Sequence, residues 1–295
     1  MTTGTSLCIL GCGNLGTAIL ECLLKPFDGN TTSAAPMKQI TACVRSEQSR
    51  LRLLDRFSTY KTQLNVSSST DNVEVVKNSD CIILAVNPSD LVDTLRQPGL
   101  ADALTDKLVI SVIAGWTRQK IEATLLDNYG YINGMPKFWV VRTLPNIAAT
   151  VAQSITAVET PCENLPGEYL DLTNAIFNRI GKVIQLDPKR IDAFTAVGGS
   201  TPAFFAVIAD ALVDAAVAVG IPRCEANVII AQSMLGSATL LQNGLSPGDL
   251  RDQGTSPAGC TIAGLMVLEE TGVRGGLSRA LREAVRAASL LGVNQ

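Results

Sequence analysis

The sequence predicts an α/β fold, in which an N-terminal doubly wound parallel sheet is followed by an all-α C-terminal dimerisation domain. In roughly the first 160 residues, short apolar runs that a parallel sheet would bury on both faces alternate with helical segments. From Pro188 onward only helical segments follow, rich in alanine and valine. The length of 295 residues suits two domains. We therefore expect domains at 1–187 and 188–295.

A glycine-rich turn joins the first strand to the first helix. Leu7–Leu10 is a buried strand, Gly11-Cys12-Gly13-Asn14-Leu15-Gly16 follows, and Thr17–Leu24 is an apolar helix. Gly-x-Gly-x-x-Gly between a strand and a helix is typical of Rossmann-like, dinucleotide-binding domains. We expect Gly11, Gly13, Asn14, Leu15 and Gly16 to bind the cofactor. In this turn Gly11 permits the change of direction, Gly13 lets a pyrophosphate approach and Gly16 allows close packing. A glycine-rich turn in another kind of α/β protein is the alternative.

The end of the second strand indicates which dinucleotide binds. After a loop over Lys25–Pro36, the strand Gln39–Val44 ends in Arg45 and Ser46, where a free 2′-hydroxyl usually meets an acidic residue. A guanidinium and a hydroxyl can both bond the oxygens of a 2′-phosphate, which predicts a preference for NADPH. Glu47 comes next and leaves NADH possible. The alternative is that Arg45 is a solvated surface charge.

The following elements continue the alternation of strands and helices. We predict a helix over Glu47–Phe57, a short strand over Leu64–Val66, a helix after Thr70, strands over Asp80–Val86, Leu108–Ile113 and Val140–Leu144, a helix over Pro166–Ile180 and a strand over Lys182–Leu186. The strand ending at Leu144 is the sixth. Because such sheets bind ligands at the carboxyl ends of their strands, the cofactor cleft is expected to include Ala85, Val86, Asn87, Pro88, Ala114 and Gly115. Asn72, on the helix after Thr70, is expected on the adenine side of the cofactor.

The helices of the second domain are apolar nearly all round. A small all-α domain offers little interior for such helices, so we expect them to form the interface of a homodimer or a higher homo-oligomer. The longest apolar run, Phe204–Ile221, contains Asp210 and Asp214. We interpret this run as a buried helix and not as a membrane span.

Composition argues against several classes of function. A net charge of −3 without a basic run argues against nucleic acid as a partner. The eight cysteines form no Cys-x-x-Cys pair and the first residues show no targeting pattern, which favours free thiols in the cytoplasm. The chain has no histidine, which excludes Ser-His-Asp and Cys-His nucleophilic sites and argues against a catalytic metal.

A second informative stretch spans Asp249–Glu270. Within it, Thr255–Thr261 is a turn of small residues that leads into an apolar helix. We predict that Ser256 or Thr261 caps this helix, with Pro257 near its start. Free N–H groups at a helix N-terminus, with hydroxyls nearby, suit a carboxylate. An ordinary capped helix start is the alternative.

This second stretch resembles the signature of the pyrroline-5-carboxylate reductase family, Ser-Pro-Gly-Gly-x-Thr followed by an apolar helix. The resemblance covers nearly the whole chain, because the glycine turn, Ala85–Pro88, Ala114-Gly115, Val141–Asn146, Asp192–Phe204 and Gly220–Arg223 follow in the family's order. It implies reduction of the cyclic imine 1-pyrroline-5-carboxylate to L-proline with NADPH or NADH, and a helical C-terminal domain that dimerises by interleaving. It also implies that the loop of Ser256, Pro257, Ala258, Gly259, Cys260 and Thr261 holds the small cyclic imino acid by its carboxylate. Ser256 and Thr261 are the implied catalytic residues, with Thr261 near the imine nitrogen.

Imine reduction is compatible with the absence of histidine. A cyclic imine is appreciably protonated near neutral pH, so hydride attack on the iminium carbon yields a neutral amine without a strong protein acid. A ketone reductase needs a proton donor for the forming alkoxide. Hydroxyacid dehydrogenases of related layout use a lysine on the long interdomain helix, and here no lysine follows Lys189 through Gly220.

Departures from the family pattern bear on the substrate. Ala258 replaces the first glycine of the Gly-Gly pair, Gly198–Ala203 replaces Ser-Gly-Ser-Gly-Pro-Ala, and Asn87 replaces the lysine of Val-Lys-Pro. These changes leave open a tailoring reductase of a substituted or larger cyclic imine, or of an unrelated imine. A sensor or scaffold that binds NADPH without turnover is the alternative from another class.

Overall fold

The structure, a computed structural model, describes residues 4–25, 37–129 and 137–291. The predicted loop after the first helix falls on residues 26–36 and lies outside the described part. The strands are β1 (Thr5–Leu10), β2 (Met37–Val44), β3 (Leu64–Ser68), β4 (Cys81–Leu84), β5 (Leu108–Ser111), β6 (Trp139–Leu144), β7 (Ser154–Glu159) and β8 (Gly181–Leu186). The helices are α1 (Asn14–Leu24), α2 (Glu47–Arg56), α3 (Asn72–Lys77), α4 (Leu91–Leu95), α5 (Leu100–Leu104), α6 (Arg118–Asp127), α7 (Gly167–Asn178), α8 (Pro188–Val197), α9 (Thr201–Ala218), α10 (Arg223–Gln242), α11 (Pro247–Gln253), α12 (Cys260–Glu270) and α13 (Val273–Leu291).

The described strands form one eight-stranded sheet in the order β3-β2-β1-β4-β5-β6-β7-β8. Neighbouring strands run parallel, apart from β6 and β7, which are antiparallel. The first six strands have the order of a Rossmann fold, in which the chain reverses direction across the sheet between β1 and β4. The predicted doubly wound sheet is therefore confirmed, and its ligand crevice is expected at the carboxyl ends of β1 and β4.

Strand β7 is absent from the sequence-based prediction, which has six strands in the first domain and one short strand after them. Ser154 and Thr156 on this strand are buried polar residues. The Oγ of Ser154 accepts a hydrogen bond of 3.0 Å from the backbone N–H of Asn146, which satisfies it inside the protein. Because polar residues occupy buried positions, β7 lacks the apolar periodicity that identifies a strand from sequence.

Helices cover both faces of the sheet. Leu7 and Ile9 of β1 belong to the core layer that contains residues of α1, α2 and α7. Cys8 and Leu10, which alternate with them, belong to the layer that contains residues of α3, α4, α5 and α6. This arrangement explains the continuous apolar runs of the strands, because each strand is buried on both faces.

The chain divides into two compact units, residues 1–199 with 285–295, and residues 200–284. Helix α8 belongs to the first unit because Ile191 and Phe194 are buried in one cluster with Leu144 and Ala157. In this division α8 lies with the first unit, whereas the domain boundary after residue 187 stays a prediction from the sequence.

Helices α9, α10 and α12 of the second unit bury few of their side chains within the single chain. Their buried residues are Val213 and Ala226. Val207 and Val219 are 71% and 78% exposed. The expectation that the run Phe204–Ile221 is a buried helix is therefore wrong for the single chain. A unit this small cannot bury every side of helices that are apolar all round. Apolar side chains of α9, α10 and α12 therefore form an extended exposed surface.

Candidate active site

The chain turns sharply at Gly11, where β1 ends. Gly11 has a φ of +94°, and a Cβ added there would lie 2.7 Å from both the carbonyl oxygen of Ala85 and the backbone N of Val86. The turn is held by a hydrogen bond of 3.0 Å from the Gly11 N–H to the carbonyl oxygen of Cys43. The geometry supports the role predicted for Gly11, since only glycine combines this φ with this lack of space.

The first turn of α1 begins three residues earlier than the sequence predicts. Gly13 is the N-cap, and the helix starts at Asn14, so that Asn14, Leu15 and Gly16 form its first turn. Asparagine and glycine are weak helix formers, which hides this start in the sequence. No atom of the described residues lies within 4 Å of a Cβ added at Gly13, whereas one added at Gly16 would collide with the carbonyl oxygen of Gly11. Open space at Gly13 and close packing at Gly16 are the two arrangements that the motif requires.

A cleft of about 440 Å³ lies at the carboxyl ends of β1, β2 and β4. Of the residues predicted to bind the cofactor, it is lined by Gly11, Gly13, Arg45, Ser46, Asn72, Ala85, Val86 and Asn87. Asn14, Leu15, Gly16, Pro88, Ala114 and Gly115 are predicted cofactor residues that lie outside this lining. The cleft therefore unites the glycine turn with the end of β2 and the start of α3.

The cysteine inside the glycine turn is neutral. Cys12 lines the cleft and is 4% exposed. Burial raises the pKa of the Cys12 thiol to about 12. The turn thus presents no thiolate to a pyrophosphate, and the free N–H groups and dipole of α1 act on an anion without local repulsion.

Arg45 reaches across the cleft to an acidic partner. Its Nη1 lies 3.1 Å from the Oδ2 of Asp90. Ser46 caps α2, because its Oγ accepts a hydrogen bond of 3.2 Å from the backbone N–H of Ser49. Ser49 and Arg52 also line the cleft and are absent from the sequence-based prediction. The sequence could have predicted Ser49 and Arg52, because they follow Ser46 at intervals of three residues and residues three apart share a helix face.

Glu47, which leaves NADH possible in the sequence analysis, does not line the cleft. Both of its carboxylate oxygens accept hydrogen bonds of 2.7 Å from the guanidinium of Arg50. That guanidinium lowers the pKa of the Glu47 carboxyl. In this conformation Glu47 is not placed to accept a bond from a ribose hydroxyl.

Asn72 is buried at the first position of α3. Its Nδ2 donates a hydrogen bond of 3.1 Å to the Oε1 of Gln97, another residue of the cleft lining. Within the described part of the chain, its Oδ1 is buried without a hydrogen-bond partner. A buried acceptor without a partner is costly, so this atom is suited to a ligand N–H or O–H.

The VRTLPN stretch, which contributes to the family resemblance, has a structural role. Arg142 is 2% exposed, and its Nη2 lies 2.9 Å from the Oδ1 of Asp192 on α8. Asn146 donates a hydrogen bond of 2.8 Å from its Nδ2 to the carbonyl oxygen of Gly198. Two polar contacts therefore attach α8 and the turn after it to the end of β6.

The second stretch identified in the sequence forms an exposed loop before α12. The helix begins at Cys260 with Gly259 at the N-cap, and no side chain of the described residues caps it. The prediction that Ser256 or Thr261 caps this helix is therefore wrong, because Ser256 precedes the N-cap and Thr261 lies in the first turn. The backbone N–H of Gly259 donates to the carbonyl oxygen of Ser256 at 3.1 Å. The uncapped N–H groups remain available to an anion.

Ala258 has a left-handed backbone, with a φ of +56°. An L-residue with a Cβ is strained in this region, and glycine is not. We expect Ala258→Gly to raise the free energy of unfolding by about 0.5–1 kcal/mol, measured by denaturant titration. Ala263→Gly in the exposed part of α12 is the matched control and should lower it by about 1 kcal/mol. Equal destabilisation by both substitutions would show that Ala258 carries no strain.

Comparisons with known proteins find a matching family model in each half of the chain. A family model described as pyrroline-5-carboxylate reductase dimerisation matches residues 188–291, and one described as NADP oxidoreductase coenzyme F420-dependent matches residues 6–115. The chain is 40% identical to a pyrroline-5-carboxylate reductase of Lophium arboricola, over 97% of this chain and 93% of that protein. It is 37% identical to the pyrroline-5-carboxylate reductase of Neurospora crassa, with the same coverage of 97% and 93%.

Solved structures show the same fold. The pyrroline-5-carboxylate reductase of Coxiella burnetii superposes with a TM-score of 0.79 at 26% identity, over 98% of this chain and 99% of that one. The pyrroline carboxylate reductase of Plasmodium falciparum, solved with NADP bound, superposes with a TM-score of 0.77 at 24% identity, over 98% of both chains.

Proposed function

Because this chain belongs to the pyrroline-5-carboxylate reductase family, we propose that it reduces 1-pyrroline-5-carboxylate to L-proline with NADPH. The family resemblance found in the motifs is confirmed by the relatives of 40% and 37% identity that span nearly the whole chain. The observation that carries the proposal is the uncapped start of α12 beside Ser256 and Thr261, in a chain that also has a dinucleotide cleft.

The residues of the cleft fit NADPH. Open space at Gly13 and the first turn of α1 suit the pyrophosphate, and the unpartnered Oδ1 of Asn72 suits an N–H of the adenine. Arg45 and Ser46 are assigned to the 2′-phosphate, with Ser49 and Arg52 adding a hydroxyl and a cation to the same face. Bound there, NADPH supplies the hydride that reduces the imine carbon.

The loop Ser256–Thr261 is assigned to the substrate. The free N–H groups of the first turn of α12 and the hydroxyl of Ser256 bind its carboxylate, and the hydroxyl of Thr261 bonds the ring nitrogen. These groups orient the imine, which takes its proton from solvent before the reaction. Hydride transfer to the resulting iminium gives a neutral amine directly, so no protein group has to supply a proton. No imidazole is required, and the chain has none.

The match to a dimerisation domain over residues 188–291 supports homo-oligomerisation. We assign the interface to the apolar surface of α9, α10 and α12, where side chains such as Val207, Val219 and Val228 are at least 70% exposed. Covering such side chains by a second copy removes apolar area from water. We propose a homodimer as the basic assembly.

A cytoplasmic location is proposed with this assembly. One helical stretch, Pro188–Ala218, is long enough to cross a membrane and contains an 18-residue window with a mean hydropathy of 1.7. It is interrupted at Gly198–Ser200, between α8 and α9, and α9 carries Asp210 and Asp214. Burial against a second chain would account for the apolar character of this stretch without a membrane. The net charge of −3 argues against nucleic acid as a partner.

Consumption of NADPH in the presence of 1-pyrroline-5-carboxylate, with identification of proline as the product, tests the proposed function. Turnover that is faster with NADPH than with NADH is the expected result. NADPH binding without turnover on this substrate would contradict it. A panel of substituted and six-membered cyclic imino acids would then separate a tailoring reductase from a sensor or scaffold.

Replacing Arg45 tests the assignment of the 2′-phosphate. We expect Arg45→Ala to lower kcat/KM for NADPH by about tenfold and to change that for NADH by less than about twofold, because only NADPH carries the charge that Arg45 would bind. Arg50→Ala is the matched control, since Arg50 pairs with Glu47 outside the cleft lining. Equal losses with both cofactors would remove Arg45 from phosphate recognition.

A further inference from the structure

We infer that Asp90 is a specificity-determining residue that limits the preference of this protein for NADPH over NADH. The inference rests on the proposed function and adds a residue that opposes the 2′-phosphate. Asp90 lines the dinucleotide cleft, and its Oδ2 lies 3.1 Å from the Nη1 of Arg45, the cation assigned to that phosphate. The phosphate therefore has to compete with a carboxylate for its own partner.

The backbone holds Asp90 at the cleft. Its N–H donates a hydrogen bond of 2.9 Å to the carbonyl oxygen of Asn87, and its carbonyl oxygen accepts one of 2.8 Å from the hydroxyl of Thr94 on α4. Because both contacts fix the main chain just after β4 and the aspartate side chain is short, the carboxylate stays at this end of the cleft when Arg45 turns toward a ligand. The negative charge then remains beside the bound cofactor.

The charges of the lining balance each other. The described lining contains two guanidinium groups, Arg45 and Arg52, and two carboxylates, Asp90 and Asp93. A dianionic 2′-phosphate meets attraction and repulsion in this cleft, whereas the ribose hydroxyl of NADH meets neither as strongly. Asp90 is the carboxylate in contact with Arg45, so its charge should act on NADPH more than on NADH.

The ion pair itself is weak enough to exchange partners. The side chains of Arg45 and Asp90 are 79% and 38% exposed. Solvent screens exposed pairs of this kind, and their net contribution is small. Arg45 can therefore move to a 2′-phosphate. The screened repulsion between Asp90 and that phosphate then reduces the favourable binding free energy that the contact with Arg45 provides.

Asp90→Asn tests the inference in the full-length protein, because it removes the charge and keeps the size. With 1-pyrroline-5-carboxylate as substrate, we expect kcat/KM for NADPH to rise about threefold to tenfold and that for NADH to change by less than about twofold. The rise should shrink at high salt, which screens the charge. Asp102→Asn is the control, since Asp102 is an exposed carboxylate on α5 outside the cleft lining.

Two results would overturn the inference. An unchanged ratio of NADPH to NADH would show that the Asp90 charge is not felt by the cofactor, and a fall for NADPH would show that Asp90 instead orients Arg45. If the unmodified protein does not turn over this substrate with either cofactor, the proposed function fails. Titration of NADPH and NADH into Asp90→Asn and the unmodified protein then still decides the inference, by whether the affinity for NADPH rises selectively.

Discussion

Gly11→Ala is expected to raise the Kd for NADPH by at least about a hundredfold and to destabilise the protein by about 2–4 kcal/mol. A methyl group at this position would lie 2.7 Å from two backbone atoms, the Ala85 oxygen and the Val86 nitrogen. Those atoms cannot retreat easily, because the N–H of Ala85 is bonded to the carbonyl oxygen of Leu10 at 2.8 Å. The positive φ of +94° adds strain that alanine cannot relieve. Titration of NADPH and thermal unfolding measure the two effects.

Gly13→Ala is the control for Gly11→Ala, because it separates folding from binding. In the described part of the chain no atom lies within 4 Å of a Cβ added at Gly13, and its φ of −71° is open to alanine. Gly13→Ala should therefore unfold at nearly the normal temperature and still bind NADPH poorly, since the methyl would occupy space kept for the pyrophosphate. Normal NADPH affinity in Gly11→Ala would refute the assignment of the cleft.

Thr261→Ala is expected to lower kcat/KM for 1-pyrroline-5-carboxylate by about a hundredfold and to leave the Kd for NADPH unchanged. Thr261 lies in the first turn of α12, where an uncapped helix start and the Ser256 hydroxyl are assigned to the substrate. The cleft assigned to NADPH is lined by residues of the first unit, so its affinity should not depend on this hydroxyl. Steady-state kinetics and direct NADPH titration separate the two quantities.

Two further variants make the test of Thr261 specific. Thr261→Ser keeps a hydroxyl and should retain most of the activity. Thr271→Val, at the far end of α12, removes a hydroxyl that bonds the carbonyl oxygen of Val267 at 2.8 Å, and it should leave kcat/KM nearly unchanged. An unaltered kcat/KM in Thr261→Ala would remove Thr261 from the mechanism.

The nucleotide-binding part was largely predictable from the sequence. Strands such as Cys81–Leu84 are continuous apolar runs, and the three glycines of the turn have the spacing that a pyrophosphate-binding turn between a strand and a helix requires. Strand β7 was not predictable, because Ser154 and Thr156 are polar and buried, and Asn146, which lies eight residues from Ser154, satisfies the Ser154 hydroxyl. Such a contact depends on the folded sheet and has no local signature.

The candidate site was predictable in its parts and not in its contacts. Arg45 and Ser46 follow from their place after β2, but the pairing of Arg45 with Asp90 joins the ends of two strands that are separated by β1 in the sheet. The left-handed backbone of Ala258 was equally hidden, since alanine rarely adopts it. The glycine that the family pattern has at this place indicated a special position, while the residue present gave no sign of its φ.

In the proposed homodimer, the apolar surface of α9, α10 and α12 makes the amount of assembled protein depend on how much chain a cell produces. During synthesis, most of the nucleotide-binding unit leaves the ribosome before these helices, and they remain uncovered until another copy is met. Assembly is a second-order event, so its extent follows mass action. A fall in expression would therefore reduce the assembled protein more than proportionally, and a chain disabled in its cleft could still occupy a normal partner.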